Sequence, residues 1–157
     1  MARGVKIFLC TDVDKGTPWL PAKCNADGSL CVDTTPGTKT APEVLNEATI
    51  AAAATTVIGD CDDIDLSHGP ATLALTVEAT YNAAATQGIR VHVLTSYDGV
   101  NFDTEDWSTW EVNFTAGATI RQTSVYNTDP YIVRVLVENL DPAQAVTGVV
   151  ITATVGA

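Results

Sequence analysis

The sequence predicts an all-β fold, an antiparallel β-sandwich of seven to eight strands, Ig-like or jelly-roll, preceded by an extended N-terminal arm. Three observations carry this. Apolar and polar residues alternate with a period of two through most of the chain, turn-forming residues separate the alternating segments, and all four lysines fall within the first 41 residues.

The alternation is clearest at Leu73, Leu75, Val77, Ala79 and Tyr81, interleaved with Thr72, Thr76, Glu78 and Thr80, which places an apolar face inward and a Thr-rich face outward. It recurs at Ile89, Val91 and Val93, at Trp110, Val112 and Phe114, at Tyr131, Val133, Val135 and Val137, and at Val149, Ile151, Ala153 and Val155. Thr119 to Val125 reads as another strand. Ala48 to Ile58 is mixed, because its alanines favour helix while Thr55, Thr56, Val57 and Ile58 favour strand. Turn chemistry lies between the segments, at Asn82 to Gly88, Asp98-Gly99, Ala116-Gly117-Ala118, Asn127 to Pro130, Asn139 to Pro142, and Gly148. Short connections predict antiparallel sheets.

Charge divides the chain at a linker. Residues 1–41 hold Arg3, Lys6, Lys15, Lys23 and Lys39 against Asp12, Asp14, Asp27 and Asp33, a net of +1. Residues 42–157 hold three arginines and fifteen carboxylates, a net of −12. Between them, Thr34 to Pro42 is rich in Pro, Gly and Thr, which favour extended or turning backbone. The expected organisation is an arm and linker over 1–41 and a sandwich domain over 42–157.

A net charge of −11 with no basic stripe argues against binding nucleic acid. No apolar run approaches the roughly 20 residues of a membrane span. The four apolar residues after Lys6 fall short of the h-region of about 7–15 residues in a secretory signal, so export is not expected. Catalysis finds little support either. His68 and His92 are far apart with no zinc-ligand spacing, no G-x-S-x-G elbow occurs, and His92 reads as a solvated surface histidine beside Arg90. No cofactor and no enzymatic activity are expected.

Two other spots carry weaker signals. Asp60, Asp62, Asp63 and Asp65 crowd one segment and offer oxygen ligands for calcium, although the EF-hand spacing is missing and a solvated turn explains them as well. Tyr97 and Trp107 flank an acidic hairpin on which a sugar ring could stack; Trp110, three residues after Trp107, faces the core side instead. Cys10, Cys24, Cys31 and Cys61 lack C-x-x-C spacing and read as buried free thiols. If bridged, Cys24–Cys31 would close a loop in the arm, and Cys10 or Cys31 with Cys61 would staple arm to body.

Several stretches resemble small β-sandwich virion proteins of tailed bacteriophages. The run from Trp19 to Val32 is similar to their W-x-P-x-x-x-x-x-D-G-x-L-x-V opening, Ser96 to Thr104 to their S-x-D-G-x-x-[WF]-D-T hairpin, and Tyr131 to Asp141 with Ala145 to Ile151 to their closing strands. The resemblance implies a capsid decoration (cement) protein or a tail or fibre component. An arm short of a core of its own orders against a partner, and this one offers Ile7, Phe8, Leu9, Trp19, Leu20, Leu30 and Val32 for adhesion, with Arg3, Lys6, Lys15 and Lys23 for acidic surface. The expectation is therefore decoration of the outer capsid surface after synthesis in the host cytoplasm. The partner would be the major capsid protein or another virion protein. Homo-oligomers are expected, a trimer on a local threefold among them. The rivals are a tail or fibre role and a carbohydrate-binding adhesion module.

Overall fold

The computed structural model describes residues 8–9, 20–21, 41–67, 71–128 and 130–156, and the chain divides into two units, Met1–Thr38 and Lys39–Ala157. In the first unit β1 (Phe8–Leu9) pairs antiparallel with β2 (Leu20–Pro21), Phe8 opposite Pro21 and Leu9 opposite Leu20. Residues 34–40 of the expected linker lie outside the described residues.

The second unit is built from eight strands: β3 (Glu43–Ile50), β4 (Ile64–Asp65), β5 (Ala71–Tyr81), β6 (Ile89–Ser96), β7 (Ser108–Glu111), β8 (Thr119–Thr128), β9 (Ile132–Asn139) and β10 (Val146–Gly156). They form two four-stranded antiparallel sheets, ordered β3-β10-β5-β8 and β4-β9-β6-β7. The chain changes sheet at every connection except β6 to β7, and its first and last strands lie side by side. That order is the jelly roll, two interleaved Greek keys, and it decides between the two sandwiches the sequence allowed.

The period-two alternation does what it predicts. Leu73, Leu75 and Val77 of β5 and Ile151 of β10 meet Val91 and Val93 of β6 and Val135 of β9 in one core from which solvent is excluded. Fully burying such side chains is worth about 1.5–3 kcal/mol each, and their β-branched members suit a pleated surface.

Four local expectations change. The segment from Ala48 to Ile58 is not one strand. β3 ends at Ile50, Ala53 takes a positive φ of 52°, and the chain crosses to the edge of the other sheet, where Thr55 bridges Glu138 and the Thr56 amide donates to the Val137 carbonyl at 3.0 Å. The acidic stretch contributes a short strand, β4, rather than only a loop. Gly148 sits inside β10, where a bulge next to it demands its φ of +57°, and not in a turn. After Trp110 the alternation outlasts the strand: Val112 is buried, but Phe114 is about a third exposed and rests edge-on against Tyr81, ring centroids 5.1 Å apart.

Cys61 is buried and free, so the proposed bridges from Cys10 or Cys31 to Cys61 are not formed; Cys10, Cys24 and Cys31 lie outside the described residues. The Cys61 Sγ accepts a hydrogen bond from the Val135 amide at 3.3 Å and donates to the Asp62 carbonyl at 3.3 Å, filling a gap in the ladder beside β9. Burial pushes its thiol up to about 11. A rise of that size from 9.0 lowers the thiolate fraction at neutral pH about a hundredfold. Peptide mapping after brief exposure to an alkylating agent is expected to find Cys61 unmodified in the native chain and fully modified in denaturant.

One end of the roll is held by Asn139 and Asp141, both buried. The Asp141 Oδ2 accepts from the Thr86 amide at 2.5 Å, the Thr86 hydroxyl at 3.0 Å and the Gln87 amide at 3.1 Å, and Oδ1 accepts from the Ala143 and Gln144 amides at 2.8 and 2.7 Å. The Asn139 amide group donates to the carbonyls of Ile50, Ala51 and Gln144. Three connections, β3 to β4, β5 to β6 and β9 to β10, are thereby fastened at one point.

Candidate functional site

At the opposite end, the connection from β6 to β7 is organised by Asp98. Its Oδ1 accepts from the Val100 and Asn101 amides, each at 2.8 Å, and its Oδ2 from the Asn101 side chain at 2.8 Å. These bonds, the Asn101 side chain foremost, hold the Asp98 carboxyl well below the usual carboxylate range. Gly99 follows at φ +75°, and a Cβ there would lie 2.8 Å from the Tyr131 ring. Aspartate-glycine is thus required both for the left-handed turn and for the room that Tyr131 occupies. Around this turn Tyr97, Val100 and Tyr131 are exposed.

Of the two residues expected to stack on a glycan, Tyr97 is 63% exposed at this tip, whereas Trp107 is 39% exposed and lies against Tyr126 of β8, ring centroids 5.3 Å apart. Trp107 therefore covers the open edge between β7 and β8, and the indole has a structural partner.

The outer face of the β4-β9-β6-β7 sheet carries a charge cluster that the sequence reading missed. Arg90 lies between Glu111 at 2.9 Å and Glu138 at 3.0 Å. His92, two residues along β6, places Nδ1 2.9 Å from Asp106 and Nε2 3.4 Å from the same Glu138. It is not a solvated surface histidine: its side chain is 18% exposed and its two ring nitrogens both face carboxylates. Both contacts are donated hydrogen bonds only when both ring nitrogens carry hydrogen. Beyond them, Arg134 pairs with Asp63 at 2.6 Å and lies over the Phe102 ring at 4.8 Å. Arg90, His92, Asp106, Thr109, Trp110 and Glu111 line a shallow, open hollow of about 540 Å³ on this face. The register makes the cluster, since Arg90 stands opposite both Glu111 and Glu138, and His92 opposite Thr109 and Leu136. The alternation Arg90-x-His92 signalled an outward face; only strand pairing could reveal its partners.

Of the four aspartates considered for calcium, Asp60, Asp62, Asp63 and Asp65, three have side chains with separate partners. Asp60 accepts from the Val57 amide at 3.2 Å, Asp63 pairs with Arg134, and Asp65 accepts from the Ser67 amide at 2.8 Å. Among the described residues no group of three or more His, Cys, Asp or Glu is placed to hold a metal ion. Among the same residues no helix is long and apolar enough to cross a membrane. Of the expected adhesion residues, Arg3, Lys6, Ile7, Lys15, Trp19, Lys23, Leu30 and Val32 lie outside the described residues. Phe8, Leu9 and Leu20 are described as strand backbone only. His68 also lies outside.

No protein-family model matches the chain, and no curated protein matches it. Several solved chains are similar to it, two of which differ widely in origin. One is from the viral particle of IBDV, 11% identical with a TM-score of 0.45, the match covering 96% of this chain and 36% of that one. This chain thus spans about a third of the viral one. The other is from Bacillus endospore appendages, described as disulfide-linked pili, 16% identical with a TM-score of 0.33, covering 82% of this chain and 95% of that one.

The arginines on the outer sheet face are neutralised in place, Arg90 between Glu111 and Glu138 of its own sheet and Arg134 by Asp63. Such an arrangement fixes strand register and leaves the face acidic and hydrated.

Proposed function

We propose that the chain is a non-catalytic structural protein of a virion, a capsid decoration protein whose jelly-roll body is displayed from the shell and whose leader, residues 1–41, attaches it to the major capsid protein. The observation that carries this reading is a body with a complete core of its own joined to a leader of opposite charge. Among the described residues the core runs from Val44 to Ala153, and the body bears a net charge of −12 against +1 in residues 1–41. A body with its own core is complete without a lysine-bearing, apolar leader, and a neighbouring acidic shell subunit would offer that leader a partner. Many copies on one shell multiply weak contacts by avidity, so a short leader suffices. The hydrated acidic faces of the body suit the outside of the particle.

Co-sedimentation with empty shells assembled from the major capsid protein of the same phage, alongside purified tails, tests the reading. The full chain is expected to pellet with shells and not with tails. Two variants, deletion of residues 1–33 and the full-length Lys6→Glu, Lys15→Glu, Lys23→Glu, are expected to lose shell binding while keeping the wild-type melting temperature. Shell binding by the deletion variant would falsify attachment through the leader, and pelleting with tails alone would favour a tail component.

A further inference from the structure

We infer that the outer face of the β3-β10-β5-β8 sheet is a self-association surface, on which a second copy of this chain packs face to face across a two-fold axis. The inference is independent of what the leader binds.

The face is built in rows by the register of the four strands. One row runs Thr49, Thr147, Thr80 and Thr119 across β3, β10, β5 and β8, and another runs Thr152, Thr76 and Thr123 across β10, β5 and β8. The hydroxyls of Thr80 and Thr119, and of Thr76 and Thr123, bond to each other at 2.8 Å, so much of their hydrogen-bonding capacity is met within the sheet. Their methyl groups, with Val150 and the 62% exposed Val125, add apolar area to the surface. Threonine and valine are stiff at χ1, so ordering them in a contact costs little entropy. Between the two rows Glu78 and Arg121 stand opposite each other, and with Glu43 at the edge they supply the charge.

Charge selects the occupant. Two bodies of net charge −12 repel through most approaches, and the other sheet face meets a copy with Glu111, Glu138 and Asp106. The threonine face is the low-charge approach, and it holds one of the body's three arginines. Arg121 is 67% exposed, with a contact of only 4.0 Å to Glu78, which leaves its guanidinium free to reach Glu43 or Glu78 of a facing copy. A two-fold axis makes each such pair twice and sets the same face of both copies against each other. Strands about 4.8 Å apart and rising about 3.3 Å per residue give a face of roughly 500–600 Å². Two copies would bury about 1,100 Å², the low end of specific interfaces. The expected product is a reversible dimer of micromolar affinity, the two sheets packed with strands aligned.

Sedimentation velocity on the full chain, from low micromolar to several hundred micromolar, tests this. The wild type is expected to convert from monomer to dimer over that range. Thr76→Glu and Arg121→Glu are each expected to weaken association at least tenfold, and Glu43→Arg combined with Arg121→Glu to recover it. Thr109→Glu, on the outer face of the other sheet, is expected to associate as the wild type does. Circular dichroism melting identifies any variant that fails to fold, and Arg121→Glu, at an exposed position, then carries the comparison. A monomer throughout, equal weakening by Thr76→Glu and Thr109→Glu, or no rescue by the double variant would overturn the inference.

Discussion

Replacing Asp141 with alanine is expected to lower the melting temperature by more than about 10 °C, because it removes a buried carboxylate on which five donors from two connections converge. The amides of Thr86, Gln87, Ala143 and Gln144 and the Thr86 hydroxyl all end on this one carboxylate. Asn139, whose Oδ1 accepts from the Asp141 amide at 3.1 Å, would lose the geometry that lets its side chain clamp the turn after β3. Asp141→Asn should recover part of the loss, since one amide oxygen replaces two carboxylate oxygens and the new NH2 faces donors. The hydrogen bonds from the Thr86 amide first, then from Ala143, hold the Asp141 carboxyl below the usual carboxylate range. A group depressed in this way contributes its full stability above its unfolded value of about 3.9 and loses it as the pH falls toward the folded value. Wild-type melting temperature should therefore drop steeply below about pH 4, while that of Asp141→Ala changes less, and the two curves should approach each other in acid. Parallel curves would show that the carboxylate is not the group being titrated.

Leu75→Ala is expected to cost about 3 kcal/mol, within the usual range of 2–5 for a buried leucine, and to lower the melting temperature by roughly 10 °C. Leu75 is fully buried in β5, which is paired with both β10 and β8 and so has no free edge through which the site could relax. Leu75→Met, which nearly conserves volume, should cost less than about 1.5 kcal/mol. Urea melts with an unchanged m value would assign the loss to the folded state. A Leu75→Ala loss no larger than that of Leu75→Met would mean that the core collapses around the cavity.

The strands of the body were legible because period-two alternation is local: β5 and β9 fall within a residue or two of where their apolar residues place them, and β8 starts at Thr119 as expected but runs three residues past Val125. Sheet membership was not, because it depends on partners far along the chain. The jelly-roll order follows from pairings such as Glu43 with Thr152, and no local pattern separates it from another sandwich. The same limit hid the charge cluster. Arg90 and His92 were read as outward-facing, but Glu138 and Asp106, 46 and 14 residues from His92, come to them only through pairing and the turn of the hairpin. Ala48 to Ile58 misled for another reason: a single left-handed residue, Ala53, redirects the chain between sheets, and alanine carries no turn signal. The Asn139 to Pro142 stretch was correctly placed as a turn, but its role as a fastening depends on loops that sequence distance separates from it.

The side-by-side placement of β3 and β10 bears on how the protein is made. β10 follows β3 and β5 in the chain yet lies between them, so the sheet holds a gap until β10 has been synthesised. With most contacts bridging distant parts of the polypeptide, folding should be slow, on the scale of milliseconds to seconds. During elongation the facing edges of β3 and β5 would stand open to other nascent chains, and the acidic surface would then act as a solubiliser that keeps unfinished copies apart.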